Sequence, residues 1–465
     1  MTHDPILQPP HSGEGWRGEI VATLALAWPL VGANLLQMAI YAVDVIFIAR
    51  LGEDALAVSS LSVALSGLLM WTMTGLVGGA APLIAAELGR RRHAVREVRR
   101  TVRMGAWLAV ASGLLAMTIL AQGEALMRLS GQSPALATRA GKFLMILMWT
   151  AIPLVMSGHL RNTVSALGRP VIGTLVAGLA VAVNALGNYA FIYGHFGLPA
   201  MGLNGSAVAS VVTGAAMLAA YAAVLACDRR LRRYRLLGRW WRPEWSRLRE
   251  MVRIGAPIAL TIVAEAGLFS GAAFLMGLIG PAQLAGHTLA LQIAALAFQV
   301  PFGIGQAATI RVGYHYGAGD RAAIGRAGWA AVGLSLAFMG LPAALMLFAP
   351  AWLLGAYVDT DAPKNAMLVG FAVRYMAVAA AFQLFDGVQA VSGGALRGLQ
   401  DTRVPMVMAL FGYWVPGLGT AIALGFFTPL QGTGIWIGLA IGLVVVAGLL
   451  LQRWARRARL GLLPV

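Results

Sequence analysis

Charged residues are scarce in this sequence, and cysteine is nearly absent. Only 11% of the 465 residues are charged, whereas 59% are hydrophobic and the mean hydropathy is +0.75. No soluble domain could bury so much apolar surface, so most of the chain must have lipid as its solvent. Cys227 is the only cysteine, which excludes a disulfide framework and a cysteine-rich metal site.

The sequence also lacks the motifs of nucleotide-driven pumps and of common hydrolases. It contains no P-loop lysine motif, no metalloprotease helix and no nucleophile elbow. The segment GIGQA at 303–307 imitates a dinucleotide fingerprint, but it lies in an apolar run, so helix packing explains it better. We therefore expect neither an enzyme nor a bound cofactor.

Long apolar runs dominate the sequence instead. Twelve of them are separated by charged or turn-rich breaks, and each is long enough to cross a bilayer. The predicted spans cover 24–49, 56–85, 104–123, 141–160, 170–193, 203–226, 254–279, 283–310, 326–349, 367–396, 404–428 and 432–452. The sequence therefore predicts an all-α polytopic membrane protein.

Basic residues are unevenly distributed among the breaks. The net charge of +17 would suggest a nucleic-acid partner in a soluble protein, but here the arginines gather in short runs between apolar segments. Alternating the loops across the membrane puts 29 of the 35 Lys and Arg residues on one side. Because cytoplasmic loops carry the excess of Lys and Arg, we expect both termini to be cytoplasmic and expect no nucleic-acid partner.

The two halves of the sequence resemble each other. Each has six spans, an even number, so both enter the membrane from the same side, as in a parallel repeat. We expect two pseudo-symmetric six-helix bundles. A single gap-free shift, which we call the repeat shift, pairs Pro29 with Pro257, Gly52 with Gly280, Gly75 with Gly303, Gly89 with Gly317 and Gly105 with Gly333.

The repeat and the charge runs together predict the domain organisation. The segment before the first span has no basic start and no small-residue cleavage site, so we do not expect a signal peptide. The linker with Trp240, Trp241 and Trp245 is either interfacial or a solvated loop. The predicted parts are a cytoplasmic segment (1–19), an N-lobe (20–226), a basic cytoplasmic linker (227–253), a C-lobe (254–452) and a basic cytoplasmic tail (453–465).

Three acidic residues fall inside the predicted spans: Asp44 in the first, Glu265 in the seventh and Asp386 in the tenth. A carboxylate at bilayer depth is costly, so it normally faces a cavity, binds a cation or takes up a proton. No Lys or Arg lies well inside a predicted span, so we expect an external cation or a proton as the partner. Such acids can exchange protons for a cationic substrate, although hydrogen bonding between helices is the alternative.

Polar side chains at helical spacing extend this set. Asn184 and Asn188 share a face of the fifth span, and Gln37 lies seven residues before Asp44 on one face of the first. The repeat shift pairs Gln37 with Glu265, so equivalent helices carry different chemistry. Each of these residues is also explained as a contact between helices. The second-half candidates for a polar cavity are Gln292, Phe382, Gln383 and Gln389.

Histidine, methionine, aromatic and proline residues give weaker signals. His159 and His287 can join a proton relay, but a packing role explains them equally well. The 20 methionines and the aromatic residues can line a pocket for flat lipophilic cations, although most should face lipid or other helices. Prolines inside the spans predict kinks at Pro29, Pro153, Pro257, Pro301 and Pro416.

Five segments carry a family resemblance. They are VDVIFIARLGEDALAVSSL (43–61), VNALGNYAFIYG (183–194), MGLNGSAVAS (201–210), IRVGYHYGAGD (310–320) and, most specifically, FDGVQAVSGGALRGLQDTRVP (385–405). Through them the chain resembles the multidrug and toxic compound extrusion (MATE) transporters of the NorM type over nearly its whole length. The resemblance implies two six-helix lobes around a central cleft, a bacterial inner-membrane location and export of cationic drugs coupled to Na⁺ or H⁺.

The resemblance also implies roles for the buried polar residues. Glu265 and Asp386 look like the carboxylates of a C-lobe cation site, which can hold Na⁺. Asp44, Asn184 and Asn188 look like a polar N-lobe cluster.

Two positions depart from the family pattern. Ser210 falls where relatives often have threonine, and it joins the expected polar cavity. Phe382 stands where a sodium-coupled relative can have tyrosine beside the acid, so the choice between Na⁺ and H⁺ stays open.

The leading hypothesis is a monomeric secondary transporter that exchanges organic cations for H⁺ or Na⁺ by alternating access. A flippase for lipid-linked precursors is the alternative, since related folds move such cargo. A membrane enzyme or channel is disfavoured, because the sequence lacks catalytic constellations and a short re-entrant filter segment.

Overall fold

The computed structural model describes residues 15–90, 94–232, 234 and 240–464. These residues contain helices and no strand. The apolar runs fold as helices because the bilayer offers no partner for backbone N–H and C=O groups, and a helix satisfies these groups within itself. Twelve helical segments of the described chain are long and apolar enough to cross a membrane, which confirms the predicted number of spans.

The first six spans are built from eight helices; α5 lies between the third and fourth spans, and α10 follows the sixth. The helices are α1 (Gly15–Ala49), α2 (Glu53–Val77), α3 (Ala80–Arg90), α4 (Ala94–Ala121), α5 (Gly123–Leu129), α6 (Pro134–Leu147), α7 (Ala151–Ala166), α8 (Pro170–Tyr193), α9 (Leu203–Cys227) and α10 (Arg229–Arg232).

The last six spans have the same order of long helices. They comprise α11 (Trp245–Ile279), α12 (Pro281–Ala318), α13 (Arg321–Phe348), α15 (Ala366–Gly398), α16 (Arg403–Gly412), α17 (Gly419–Phe426) and α18 (Gly432–Ala455). The short helix α14 (Pro350–Leu354) lies between the ninth and tenth spans. A π-helical turn, Tyr413–Leu418, joins α16 to α17.

The lengths of the spans repeat between the halves. The first six are 35, 38, 28, 33, 24 and 25 residues long, and the last six are 35, 38, 28, 36, 24 and 24. Both 35-residue helices contain a proline, Pro29 in α1 and Pro257 in α11, and continue through it. This correspondence supports the predicted parallel repeat.

Large apolar side chains cover the outside of the helices. Trp28 is 71% exposed, Leu175 68% and Phe274 69%. A protein with so much exposed apolar surface would aggregate in water, whereas the lipid tails of a bilayer solvate this surface.

The chain forms two compact units, and their boundaries fall inside α1 and α11. One unit consists of the described part of Met1–Val31 together with Leu260–Val465, and the other is Gly32–Ala259. The repeat shift that pairs Pro29 with Pro257 also pairs the boundary positions Val31 and Ala259. Each long helix therefore contributes its start to one unit and its remainder to the other.

A fully buried ion pair anchors the start of α1 in the first of these units. Arg311 donates two hydrogen bonds to Glu19, from Nε to Oε1 at 2.8 Å and from Nη2 to Oε2 at 2.6 Å. Nε2 of His315 lies 3.4 Å from Glu19 Oε2. The sequence predicted an N-terminal segment up to residue 19 and a first span from 24, but the helix already includes Gly15, and Glu19 lies inside it.

An ion network anchors the start of α11 in the other unit. Nη2 of Arg247 donates to Glu87 Oε1 at 3.1 Å and to Glu97 Oε2 at 2.8 Å, and Nη1 donates to Glu250 Oε2 at 2.8 Å. Arg103 pairs with Glu244 just before the helix. These contacts hold the segment 244–250 against α3 and α4.

The predicted linker is partly helical. Residues 229–232 form α10, and α11 begins at Trp245, inside the predicted range. Nε1 of Trp107 donates to the carbonyl of Trp240 at 2.9 Å. The predictions for residues 1–14, Arg91, Arg92, 233 and 235–239 lie outside the described residues.

Candidate functional site

Asp44 lies in a polar cluster of the Gly32–Ala259 unit. Its Oδ1 accepts hydrogen bonds from Nδ2 of Asn184 at 3.0 Å and from Nδ2 of Asn188 at 2.7 Å. Both asparagines are completely buried on one face of α8, as their spacing predicted. Oδ1 of Asn188 has no hydrogen-bond partner among the described residues. The cluster thus presents a half-buried carboxylate and an unused amide oxygen, both of which can accept a hydrogen bond or a cation.

Gln37 and Ser210 lie outside these hydrogen bonds. Oε1 of Gln37 accepts from Nη1 of Arg161 at 3.3 Å, and Arg161 also donates to Oδ1 of Asn34 at 3.4 Å. Ser210 is half-buried on α9, next to Ala209, which packs closely against Gly187 of α8. The predicted polar cavity of the first half is therefore divided between an asparagine–aspartate group and an arginine–glutamine group.

Asp386 is deeply buried on α15. It is 4% exposed, and its Oδ1 has no hydrogen-bond partner in the part of the chain that the structure describes. Oε1 of Gln389, one turn later, is also without a partner there. Unpartnered buried oxygens are costly unless a ligand or a proton supplies the missing contact, so this face of α15 is suited to receive a cation.

Glu265 on α11 interacts electrostatically with Asp386. A shared cation site at the two acids stays a prediction. Arg397, at the end of α15, interacts electrostatically with Glu265, and Tyr413 interacts with Glu265, Asp386 and Arg397. We name these four residues the C-terminal acid cluster. Arg397 lies in the last turn of α15 and so not well inside a span, but its interaction with Glu265 brings to this acid a positive charge that the sequence analysis did not assign to it.

The π-helical turn at Tyr413–Leu418 contains Tyr413. Pro416 has no N–H and would clash with the carbonyl four residues earlier in a regular helix, and the wider turn relieves this conflict. The hydroxyl of Tyr413 accepts a hydrogen bond from Nε2 of Gln389 at 2.6 Å. The proline predicted to kink this span thus coincides with the turn that carries a phenol of the acid cluster.

The remaining second-half candidates lie in other surroundings. Phe382 is buried edge-on against Trp436, with ring centroids 5.7 Å apart. Gln383 donates to the carbonyl of Ala294 at 3.1 Å, so it links α15 to α12. Gln292 is exposed on α12 and has no side-chain hydrogen bond within the described chain. No contact therefore places Gln292 or Phe382 in the acid cluster, although Phe382 precedes Asp386 by about one turn.

The two histidines differ in their surroundings. Nε2 of His159 lies 2.9 Å from the carbonyl of Val102, and its ring packs on Gly105, which fits the packing role. His287 is buried beside Trp436, with ring centroids 5.5 Å apart, and neither ring nitrogen has a partner among the described residues.

Two residues of these clusters were missed as partners of the acids. Arg397 follows Asp386 by 11 residues, about three helical turns, so both lie on one face of α15. That spacing is present in the sequence, but the predicted tenth span ends at residue 396 and leaves Arg397 outside it. Tyr413 gave no such signal, because a π-helical turn changes the direction of its side chain.

No group of three or more His, Cys, Asp or Glu residues that could hold a metal ion occurs in the described ranges. A Na⁺ site at Glu265 and Asp386 stays a prediction.

The amino-acid sequence matches a family profile twice. The MatE profile covers residues 29–190 and 257–423, and the repeat shift relates the starts of these two segments. Proteins described as probable multidrug resistance protein NorM are similar over nearly their full length. The one from Mesorhizobium japonicum is 46% identical over 445 residues, covering 96% of this chain and 95% of the relative. The one from Brucella suis is 45% identical over 441 residues, covering 95% and 94%.

Solved transporter structures share the fold at low sequence identity. A MOP-superfamily transporter from Pyrococcus furiosus superposes with a TM-score of 0.85 at 20% identity, covering 99% of each chain. The eukaryotic MATE transporter AtDTX14 gives a TM-score of 0.83 at 19% identity, covering 97% of this chain and 100% of the other. With the profile match, the full-length relatives and the twelve apolar helices, the chain belongs to the MatE family of transporters, as a multi-pass protein of the bacterial inner membrane.

Proposed function

We propose that this protein is a secondary active multidrug efflux transporter that exchanges organic cations for H⁺ or Na⁺ by alternating access. The observation that carries the proposal is the pair Glu265 and Asp386 on α11 and α15, with Oδ1 of Asp386 buried and unpartnered in the described chain. In a low-dielectric site, two neighbouring carboxylates that are both charged and unneutralised are costly, so binding of a proton or a cation is favoured. Binding of one cation then favours release of the other.

The Asp44 cluster gives the proposal a second cation-binding group. Its half-buried carboxylate is held in place by two amide hydrogen bonds, so it is positioned to contact an organic cation. The named relatives are multidrug resistance proteins, which supports drug-like cargo of varied shape. Aromatic side chains near the acids, such as Tyr413, can add cation–π contacts.

The flippase alternative is weaker on electrostatic grounds. A lipid-linked precursor carries phosphate groups, and paired carboxylates repel phosphate. An organic cation is attracted by the same carboxylates, so its transport requires no additional positive charge at the site.

Purified protein in proteoliposomes tests the function directly. Efflux of ethidium is measured under an imposed Na⁺ gradient alone and then under a pH gradient alone. We expect transport under at least one gradient and its collapse when that gradient is dissipated. No gradient-dependent efflux under either condition would contradict exchange transport.

Variants of the acid pair test the assigned site. Glu265→Gln and Asp386→Asn each remove one charge with little change of shape, and we expect each to lower gradient-driven efflux by about tenfold or more. Asp361→Asn is the matched control, because Asp361 is exposed in the turn before α15 and should leave efflux unchanged. Unimpaired efflux in the first two variants would remove the role assigned to the pair.

A further inference from the structure

Arg397 lies in the last turn of α15, and its side chain turns back along the helix toward the other residues of the acid cluster. It is half-buried near the end of α15, and its Nη2 lies 3.8 Å from the position that a Cβ would take on Gly393, one turn earlier. The guanidinium therefore turns back along the helix toward Asp386 and away from the helix end. Within the described chain it forms no ion pair shorter than 4.0 Å with Glu265, so the two charges interact at longer range.

The first half of the chain contains an arginine at the equivalent place. The segment Gly158-His159-Leu160-Arg161 on α7 matches Gly394-Ala395-Leu396-Arg397 on α15. Both glycines mark a close approach to the second span of their own half. A Cβ on Gly158 would meet the side chain of Thr74 at 2.9 Å, and a Cβ on Gly394 would overlap the carbonyl of Gly305. This match lies eight residues beyond the repeat shift, which itself pairs Arg161 with Gln389 and Arg397 with Arg169, so it requires an eight-residue insertion in the second half. With that insertion, the sequence and the packing of the two glycines identify Arg161 and Arg397 as equivalent positions.

The partners of these arginines are also equivalent. Arg161 donates to Gln37 at 3.3 Å, and the repeat shift pairs Gln37 with Glu265. Each half therefore has an arginine of its fourth span that interacts with this position of its first span, through a hydrogen bond in the first half and through longer-range electrostatics in the second. In the first half that position is a neutral amide, whereas in the second half it is a carboxylate.

We infer that Arg397 is a built-in counter-cation of Glu265, which neutralises this carboxylate when no cargo is bound and competes with the cation that enters. The inference rests on the proposed function and deepens it. Without such a charge, two neighbouring acids would hold an organic cation too tightly to release it on each cycle. Arg397 is thus a positioning residue that sets affinity and release without touching the cargo.

Ethidium binding to the full-length protein in nanodiscs tests this role. We expect Arg397→Gln to lower the Kd by about tenfold, because the charge that competes with the dye is gone. Slower release should at the same time reduce the maximal rate of efflux. Arg397→Lys, which keeps the charge, should stay within about threefold of the wild type. Arg374→Gln is the matched control, since Arg374 is exposed on the same helix and should leave the Kd unchanged.

A double variant shows whether Arg397 acts through Glu265. In the Glu265→Gln background, Arg397→Gln should change the Kd by less than about threefold, because the carboxylate that the arginine neutralises is absent. A merely structural role would weaken binding and would do so in both backgrounds. Weaker or unchanged binding in Arg397→Gln, or an equal effect in both backgrounds, overturns the inference.

The first half provides a test that does not depend on substituting Arg397. Gln37→Glu recreates the carboxylate of the second half, and Arg161 should neutralise it, so we expect a thermal unfolding midpoint close to the wild type. Gln37→Glu combined with Arg161→Gln should unfold at a clearly lower temperature than Arg161→Gln alone. Equal destabilisation by Gln37→Glu with and without Arg161 contradicts the equivalence on which the inference depends.

The two failures are distinguishable. If the wild type shows no gradient-driven ethidium efflux, the proposed function fails whatever the binding data are. If efflux is present and depends on Glu265 and Asp386, but Arg397→Gln leaves the Kd unchanged, only the role of Arg397 fails.

Discussion

Two amide groups donate hydrogen bonds to Asp44 and hold its side chain in place. The charge of Asp44 can therefore be removed without removing the hydrogen bonds that support the fold. An asparagine at position 44 would retain an oxygen for Asn184 and Asn188 but would carry no charge. We expect Asp44→Asn to fold and to lower gradient-driven ethidium efflux by about tenfold or more, since the first-half cluster would lose its attraction for cations. Efflux from proteoliposomes, together with thermal unfolding, measures both effects.

The matched control for this variant is Asp54→Asn. The Asp54 side chain is 90% exposed in the first turn of α2, and its contact with Arg139 is long, at 3.4 Å. We expect no loss of efflux in this control. Full efflux in Asp44→Asn would mean that the asparagine–aspartate group only joins helices.

Residue spacing predicted part of the candidate site. Asn184 and Asn188 lie four residues apart in the sequence, and the structure brings both to Asp44, because helical periodicity is a local property. Helical spacing did not predict that Arg397 interacts with Glu265, because the two residues lie on different helices. Whether Arg397 points toward water or into the bundle depends on packing around Gly393, which the sequence does not reveal.

At the scale of elements, matching glycines of the repeat have different neighbours. The repeat shift pairs Gly105 of α4 with Gly333 of α13, in two helices of 28 residues each. A Cβ on Gly105 would lie 2.6 Å from Nε2 of the buried His159 ring, whereas a Cβ on Gly333 would meet nothing within 4 Å. The sequence pairs these two positions but cannot tell which of them is crowded.

The two alanine substitutions should therefore differ in their effects on stability. We expect Gly105→Ala to destabilise the protein by about 1–3 kcal/mol through overpacking. Gly333→Ala should be neutral or should stabilise the helix by up to about 1 kcal/mol, because alanine has the higher helix propensity. Thermal unfolding in the same detergent compares them. Similar shifts for both variants would contradict the close contact with His159.

Span number and order were predictable, but the helix ends were not. Apolar runs of about 20 residues identify segments that cross a bilayer. The helices of the structure continue beyond these runs, as α1 does at Glu19 and α15 at Arg397, because buried ion pairs and inward-turned side chains accommodate charge inside a helix. Hydropathy cannot detect such compensation.

At the scale of the whole molecule, the single cysteine provides a test of orientation. Cys227 is exposed at the end of α9, in a region that the distribution of basic residues assigns to the cytoplasm. We expect a membrane-impermeant maleimide to label it in inside-out vesicles and not in intact spheroplasts.

Cys227→Ser combined with Leu198→Cys provides the control for this labelling. Leu198 is 40% exposed in the connection between α8 and α9, at the opposite ends of these helices. It should react in spheroplasts only. Labelling of Cys227 from outside would contradict the predicted cytoplasmic termini.

The sequence also predicted the repeat, because its proline and glycine positions coincide under one gap-free shift. It did not predict that α1 and α11 are each divided between the two units, with the start of the helix in one unit and the rest in the other. Unit membership depends on contacts between residues far apart in the chain, and no local pattern encodes these contacts.

The ion pairs that anchor these two helix starts have opposite polarity. The shift that relates the halves pairs Glu19 with Arg247, and His315 with Glu87. If each start docked at the site of the other, Glu19 would face Glu87 and Glu97, and Arg247 would face Arg311. Such like-charge contacts would be costly away from water. The inverted charges therefore oppose an exchange of the two helix starts, because each start carries the charge that only its own binding site complements.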